Sequence, residues 1–144
     1  MNAIDVQPFV LQELPPDLQD IPPPGDGGVS LWYGRIDSFV PSFQEEFQRS
    51  LNAEERQRMG RYFFEKDQHQ FLISRGLLRI LLGRYLSIDP SRVELGFEKF
   101  GKPFLKSRQI RFNVAHSENH ILLGFSLDKE VGVDLEKFLP DTNR

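Results

Sequence analysis

Hydrophobic and polar positions change rhythm several times along the chain, and each change marks a predicted element. Val29, Leu31 and Tyr33 alternate with Ser30, Trp32 and Gly34; this period of two predicts a strand, in a region that Pro41 closes. Farther on, Asn52 is followed three residues later by Glu55, which has the form of a capping box with Asn as the N-cap. It stands before a charged, helix-favouring run over residues 54–64, where Gly60 either weakens the helix or divides it in two. Residues 66–86 carry the strongest helical pattern. Phe71, Leu78, Leu81 and Tyr85 recur at steps of three, four and seven, and Leu72, Leu77, Ile80 and Leu82 widen the apolar surface almost all round. A helix of that kind is largely buried. Arg75 and Arg79 lie four apart on one of its faces, and Asp89-Pro90 marks the following break.

Beyond that break the period returns to two. Val93, Leu95 and Phe97 alternate with charged or small residues, and Gly101-Lys102-Pro103 reads as a turn. Ile110, Phe112 and Val114 alternate with Arg111, Asn113 and Ala115. Residues 120–127 form an apolar strand, and Asp128-Lys129-Glu130 a hairpin loop. Val131, Val133 and Leu135 then alternate with Gly132, Asp134 and Glu136. The predicted fold class is α+β, a mainly antiparallel sheet with helices packed on it.

The first 28 residues stand apart. Six of the ten prolines fall there (Pro8, Pro15, Pro16, Pro22, Pro23 and Pro24), with Gly25, Gly27 and Gly28 after them. Such a stretch predicts an extended, loosely packed arm rather than a helix or a central strand; composition alone suits a disordered tail as well.

Composition narrows the function. With 39% hydrophobic and 27% charged residues, the 144-residue chain has the make-up of one globular domain, and its 13 Phe predict an aromatic core. No apolar run approaches the roughly 18 residues of a membrane span, and no basic-then-apolar leader opens the chain. The absence of Cys excludes disulfides and thiolate metal sites and fits a cytoplasmic location. A net charge of -3 argues against nucleic acid as a partner, so any anionic ligand must be held by a local cluster. Walker A, GxGxxG and HExxH patterns are all missing from the sequence.

Three groups of residues are chemically suggestive. Asp134 and Glu136 are two apart on a predicted strand, so both carboxylates share a face with backbones about 6.6 Å apart. Their repulsion, about 2.5 kcal/mol at an effective dielectric of about 20, is what a divalent cation between them would relieve. From spacing alone, a solvated strand face explains the pair better. His116 ends the 110–115 strand; its neighbour Ser117 points to the opposite face, which suits a phosphate or metal contact better than a nucleophile–base pair. His69 and His120 read as structural. Arg58, Arg75, Arg79 and Lys102 are candidates for holding phosphate. Because Arg75 and Arg79 sit in so apolar a helix, each needs a partner, and an internal carboxylate serves as well as a ligand.

Taken in order, three stretches resemble the phosphopantetheinyl transferase family, in its larger pseudo-twofold form. They are Gly101-Lys102-Pro103 with Phe104; Phe112-Asn113-Val114-Ala115-His116-Ser117, similar to F-N-[LIV]-S-H-S; and Val131-Gly132-Val133-Asp134-Leu135-Glu136, similar to [VI]-G-[VI]-D-[LIV]-E. Arg61-Tyr62-Phe63 with Asp67 resembles the family's helical lead-in, and the likeness spans residues 29–138. The family moves the 4′-phosphopantetheine arm of coenzyme A to a Ser of an acyl, polyketide or peptidyl carrier protein. The resemblance implies that Asp134 and Glu136 hold Mg²⁺, with Asp134 and His116 counted as catalytic. It also implies that His116 meets a coenzyme A phosphate, that Lys102 and Pro103 lie beside the nucleotide, and that Arg58 and Arg75 lie near the phosphates. Ala115 stands where many members place a Ser, so a hydroxyl contact is missing. The family's later W-x-x-K-E-x-x-x-K-like segment has no counterpart before Arg144. The expected organisation is therefore an arm over 1–28, a first subdomain over 29–128, and the start of a second over 129–144. The expected behaviour is that of an incomplete, inactive piece, with a non-catalytic coenzyme A or carrier-protein binding module as the alternative. An exposed half-interface would favour dimerisation.

Overall fold

The structure, a computed structural model, describes residues 9–15, 18–19, 21–25, 28–39 and 43–133. The fold is α+β. Four strands form the main sheet: β1 (Phe9–Glu13), β2 (Val29–Arg35), β5 (Arg111–Ser117) and β6 (His120–Ser126), in the order β1-β2-β6-β5. The β2–β6 and β5–β6 pairs are antiparallel. A separate hairpin joins β3 (Leu95–Phe97) to β4 (Pro103–Leu105). The described residues include three α-helices, α1 (Gln44–Ser50), α2 (Ala53–Gly60) and α3 (Glu65–Leu86), and two short 3-10 helices. Among the described residues no helix is long and apolar enough to cross a membrane.

Period two decides which side of the sheet is buried. Trp32, Ile121, Leu123, Phe125 and Phe112 all point to one face, and each is at most 7% exposed. That face meets α3, whose Leu72, Ile73, Leu77, Leu78, Leu81 and Leu82 are buried. Tyr85 near the end of α3 packs edge-on against Phe125, and its hydroxyl accepts the indole N–H of Trp32 at 2.7 Å. Burial pushes that hydroxyl well above the ordinary phenol range. On its other side α3 packs against α1 through fully buried Phe47. A Cβ on Gly76 would lie 2.6 Å from the Phe47 ring, so only glycine admits this approach. The almost all-round apolar pattern of residues 66–86 is thus that of a helix clasped between a sheet and another helix.

The loosely packed arm expected at the N-terminus is a correction. Its prolines flank a proline-free stretch, Phe9–Glu13, which adds in parallel to β2 at the sheet edge, and Leu14 and Leu18 are buried in the core. An edge position tolerates nearby proline because only one side of the strand needs donors. Helix α1 adds to the predicted elements; its signal is Phe43, Phe47 and Leu51 at steps of four, which puts Phe47 and Leu51 in the core. At the other end, Val131–Val133, expected to open a strand, belong to none. The Val133 N–H is spent on the side chain of Asn113, at 3.0 Å, instead of a ladder. Asp134 and Glu136 lie outside the described residues.

The predicted capping box is present. Asn52 Oδ1 accepts the Glu55 N–H at 2.8 Å, and Glu55 Oε1 accepts the Asn52 N–H at 3.1 Å. α2 ends at Gly60, as the division there anticipates. The same Glu55 carboxylate also answers both arginines of α3. Oε1 accepts Arg79 Nε at 2.6 Å, and Oε2 accepts Arg75 Nη1 at 2.7 Å and Arg79 Nη2 at 3.1 Å. The remaining nitrogen of Arg79 donates to the carbonyls of Pro90 and Val93. Arg79, 1% exposed, is therefore satisfied within the fold and is a structural residue. Burial alone pushes the Glu55 carboxyl up. The hydrogen bonds from Arg79, Arg75 and the Asn52 backbone outweigh burial and hold it below its ordinary value.

Glu55→Ala would leave two guanidinium groups without their carboxylate and remove half the cap. Urea unfolding at neutral pH is expected to show a loss of about 3–5 kcal/mol. Because the folded-state pKa is depressed, Glu55 contributes fully above its ordinary 4.5, and the contribution is lost as pH falls through the lower folded value. The variant is accordingly expected to lose less stability than the parent on acidification, which the same titration at descending pH measures.

Candidate functional site

A cleft of about 300 Å³ opens between α2, α3, the β3–β4 hairpin and β5. α2 brings Arg58, α3 brings Phe71, Ser74 and Arg75, β4 brings Pro103, and β5 brings Val114 and His116. Tyr62, Asp67, Gln70 and Leu78 complete the lining. Alternation along β5 explains its share: Phe112, Val114 and His116 face the helices in turn, from buried to exposed. The sequence-nominated residues Arg58, Arg75, Pro103 and His116 thus come from four separate elements to one cavity.

The two arginines differ in their freedom. The Phe71 ring lies 4.6 Å from the Arg58 guanidinium and 5.3 Å from that of Arg75, so one aromatic orients both cations. Phe97 of the hairpin lies 5.2 Å from Arg75. Arg75 is held by Glu55, whose single negative charge it shares with Arg79. Exposed Arg58 donates only to the Tyr62 hydroxyl, at 3.3 Å, and has no carboxylate within ion-pair distance among the described residues. Of the two, Arg58 has the more freely oriented charge. The buried Ser74 hydroxyl, also on the wall, has no hydrogen-bond partner among the described residues.

The remaining candidates fall elsewhere. Lys102 is exposed and lines a small hollow on the other side of Pro103, with Glu98, Arg108, Arg111 and Glu130. Ala115 is on β5, but its parity turns it to the sheet face away from the cleft. Among the described residues no group of three or more His, Asp or Glu could hold a metal; Asp134 and Glu136 are outside them. Tyr62, Gln70 and Ser74 went unread as cleft residues. The signal of Gln70 and Ser74 is polarity on an apolar helix, which surface residues share, and Tyr62 lies in the non-helical link between α2 and α3.

Comparison with known proteins gives a family and a fold. Residues 40–126 match the family model described as 4'-phosphopantetheinyl transferase, N-terminal. Over 120 residues the chain is 33% identical to the 4'-phosphopantetheinyl transferase HetI of Nostoc sp., covering 80% of this chain and 50% of that protein. Over 97 residues it is 43% identical to a putative 4'-phosphopantetheinyl transferase of Synechocystis sp., covering 65% and 39%. It is 27% identical to the transferase Sfp of Bacillus subtilis, covering 67% and 43%. The chain thus spans half or less of the length of these relatives. A holo-(acyl-carrier-protein) synthase from Bacillus anthracis, solved in complex with CoA (3',5'-ADP), superposes with a TM-score of 0.54 at 14% identity, over 68% of this chain and 92% of that one. At that identity the likeness is one of fold.

The unequal anchoring of the arginines has a measurable consequence. Arg58→Ala is expected to change stability by less than about 1 kcal/mol, since exposed cation–aromatic contacts contribute little. Arg75→Ala, which strips one charged hydrogen bond from buried Glu55, is expected to cost about 1.5–3 kcal/mol. Denaturant unfolding of the two variants side by side measures the difference.

Proposed function

The chain belongs to the 4'-phosphopantetheinyl transferase family, and on that premise we propose that it carries the coenzyme A side of a Mg²⁺-dependent transfer to a Ser of a carrier protein. The observation that supports this best is the convergence of Arg58, Arg75, Pro103 and His116 on one cleft. A pyrophosphate needs cations gathered from several directions, and Arg58 offers an uncommitted guanidinium for planar, bidentate contact. His116, exposed at the end of β5, meets a phosphate oxygen. Pro103 and neighbouring Lys102 border the nucleotide.

The reaction balances without a redox partner. The carrier Ser oxygen attacks the phosphorus that bears the pantetheine arm, forming a P–O bond and releasing its proton. The bond from that phosphorus to the bridging oxygen of the pyrophosphate breaks, and the electron pair leaves with adenosine 3′,5′-bisphosphate. Arg58, Arg75 and His116 hold the phosphates in line and counter the charge that grows on the leaving group. Asp134 and Glu136 supply two carboxylates directly after anchored Val133, an oxygen donor set that suits Mg²⁺, which when bound screens the pyrophosphate. A cysteine-free chain acting on coenzyme A suits the cytoplasm.

Calorimetry with coenzyme A tests the binding half of this reading. Arg58→Ala and His116→Ala are each expected to weaken coenzyme A by about tenfold or more, the value of one hydrogen bond to a charged group. Affinity unchanged in both would remove the cleft as the site. In the protein that carries this chain, Asp134→Ala is expected to slow arm transfer to an apo carrier protein by about a hundredfold or more, read by intact mass. Carrier modified at the parental rate would overturn the role of Asp134.

A further inference from the structure

His116 is exposed and stands next to the last residue of β5, which is an edge strand of the main sheet. A side chain so placed has little packing to fix it, and the end of an edge strand opens readily. The chain just after His116 is built against this. Ser117 pairs directly with His120, so only Glu118 and Asn119 turn β5 into β6. Glu118 has φ 53°, a left-handed backbone that bulky side chains seldom adopt. Such a turn lasts only where its surroundings hold it. Here they hold it from β2 and from α3. At the end of β2, the Asn119 carbonyl accepts the Ile36 N–H at 2.7 Å, and Asn119 Oδ1 accepts the Asp37 N–H at 2.8 Å. The Asn119 side chain first, and Arg35 second, hold the Asp37 carboxyl below its ordinary value. His120 stacks on Tyr33 of β2 with ring centroids 5.8 Å apart, and its Nδ1 lies 2.7 Å from the Tyr33 hydroxyl. From α3, the Gln70 side-chain amide donates to the Glu118 carbonyl at 3.1 Å. Gln70 also lines the cleft, so this bond ties the α3 wall to the strand that carries His116.

We propose that the turn between β5 and β6 is a clamp that aims His116 into the cleft, with Asn119 as the positioning residue. The clamp rests on the phosphate role proposed above for His116 and adds the device that preorders it. Asn119 lies outside the cleft lining, so it reaches a ligand there only through the strand. It suits the task chemically. Its backbone and side-chain oxygens accept consecutive N–H groups, those of Ile36 and Asp37, which fixes the rotation of the turn as well as its distance from β2. Being neutral, it adds no charge to compete with a phosphate for the imidazole. An imidazole already held in place loses less freedom when a phosphate arrives, so more of the contact appears as affinity.

A double-mutant cycle on the full chain, read by calorimetry with coenzyme A, tests this. Asn119→Ala is expected to weaken coenzyme A by about three- to tenfold, the range of one net hydrogen bond. In a His116→Ala background the same substitution is expected to have no further effect, because the lost affinity passes through that imidazole. In NMR, the His116 ring signals are expected to shift in Asn119→Ala, while the methyl signals of fully buried Leu123 stay in place. Asn119→Asp keeps the acceptor but sets a second carboxylate beside Asp37, and is expected to weaken binding. Adding Asp37→Asn exchanges amide and carboxylate and is expected to restore most of the affinity. Equal losses from Asn119→Ala with and without His116 would overturn the positioning role. Unchanged affinity in Asn119→Ala would do the same, provided that His116→Ala weakens binding. Should Asn119→Ala disturb Leu123 as well, the exchanged pair decides, and affinity that is not restored there overturns the clamp. If His116→Ala binds coenzyme A as the parent does, the phosphate role of His116 fails first, and the clamp falls with it.

Discussion

One carboxylate organises the half of the molecule that contains the cleft. Glu55 is the third residue of α2, where its acid closes the capping box and meets the positive end of a short helix. From there it receives both arginines of α3, and Arg79 passes the link on to the carbonyls of Pro90 and Val93, just before the β3–β4 hairpin. A buried ion cluster of this kind adds little net stability compared with apolar packing, but breaking it is costly, since each charge depends on the others for its solvation. Its effect here is geometric. α2, α3 and the hairpin form three walls of the cleft, and all three are tied through Glu55 within a few bonds.

That tie also divides the cations. Arg79 is consumed by the fold, Arg75 is held in place by a carboxylate it shares with Arg79, and Arg58 meets no carboxylate among the described residues. Phe71 lies beside both Arg58 and Arg75, so their side chains are preordered without being neutralised. A chain with net charge -3 still brings two arginines, Arg58 and Arg75, to one cleft, whose lining includes one acid, Asp67. On the sheet, β5 works on two faces at once. Its even positions complete the core and the cleft, and its odd positions hold the segment that leads to Asp134. A one-residue slip of this strand would exchange the two sets, so its register in the β5–β6 hairpin is a functional constraint as well as a structural one.

Much of this was legible in the sequence. Periods of two and of about 3.6 located β2, α3, β5 and β6, since each buries one face or is buried all round, and burial writes itself as a repeat. The capping box announced α2 because it needs only residues three apart. Ordered motifs pointed to the family and to Pro103 and His116, while Arg58 and Arg75 were nominated by their charge and a looser likeness. The tertiary structure alone decided what depends on residues distant in the chain meeting in space. It turned the proline-rich start into a paired edge strand, because the prolines happen to flank Phe9–Glu13. It made the capping acid of α2 and the partner of Arg79 the same residue, Glu55, some 24 positions away. It set Asn113 under Val133 and brought Val131 and Val133 into the space beside Gly124. Local pattern specifies elements because each is stabilised by neighbours in sequence; which acid answers which base, and which face receives which segment, follows only from packing.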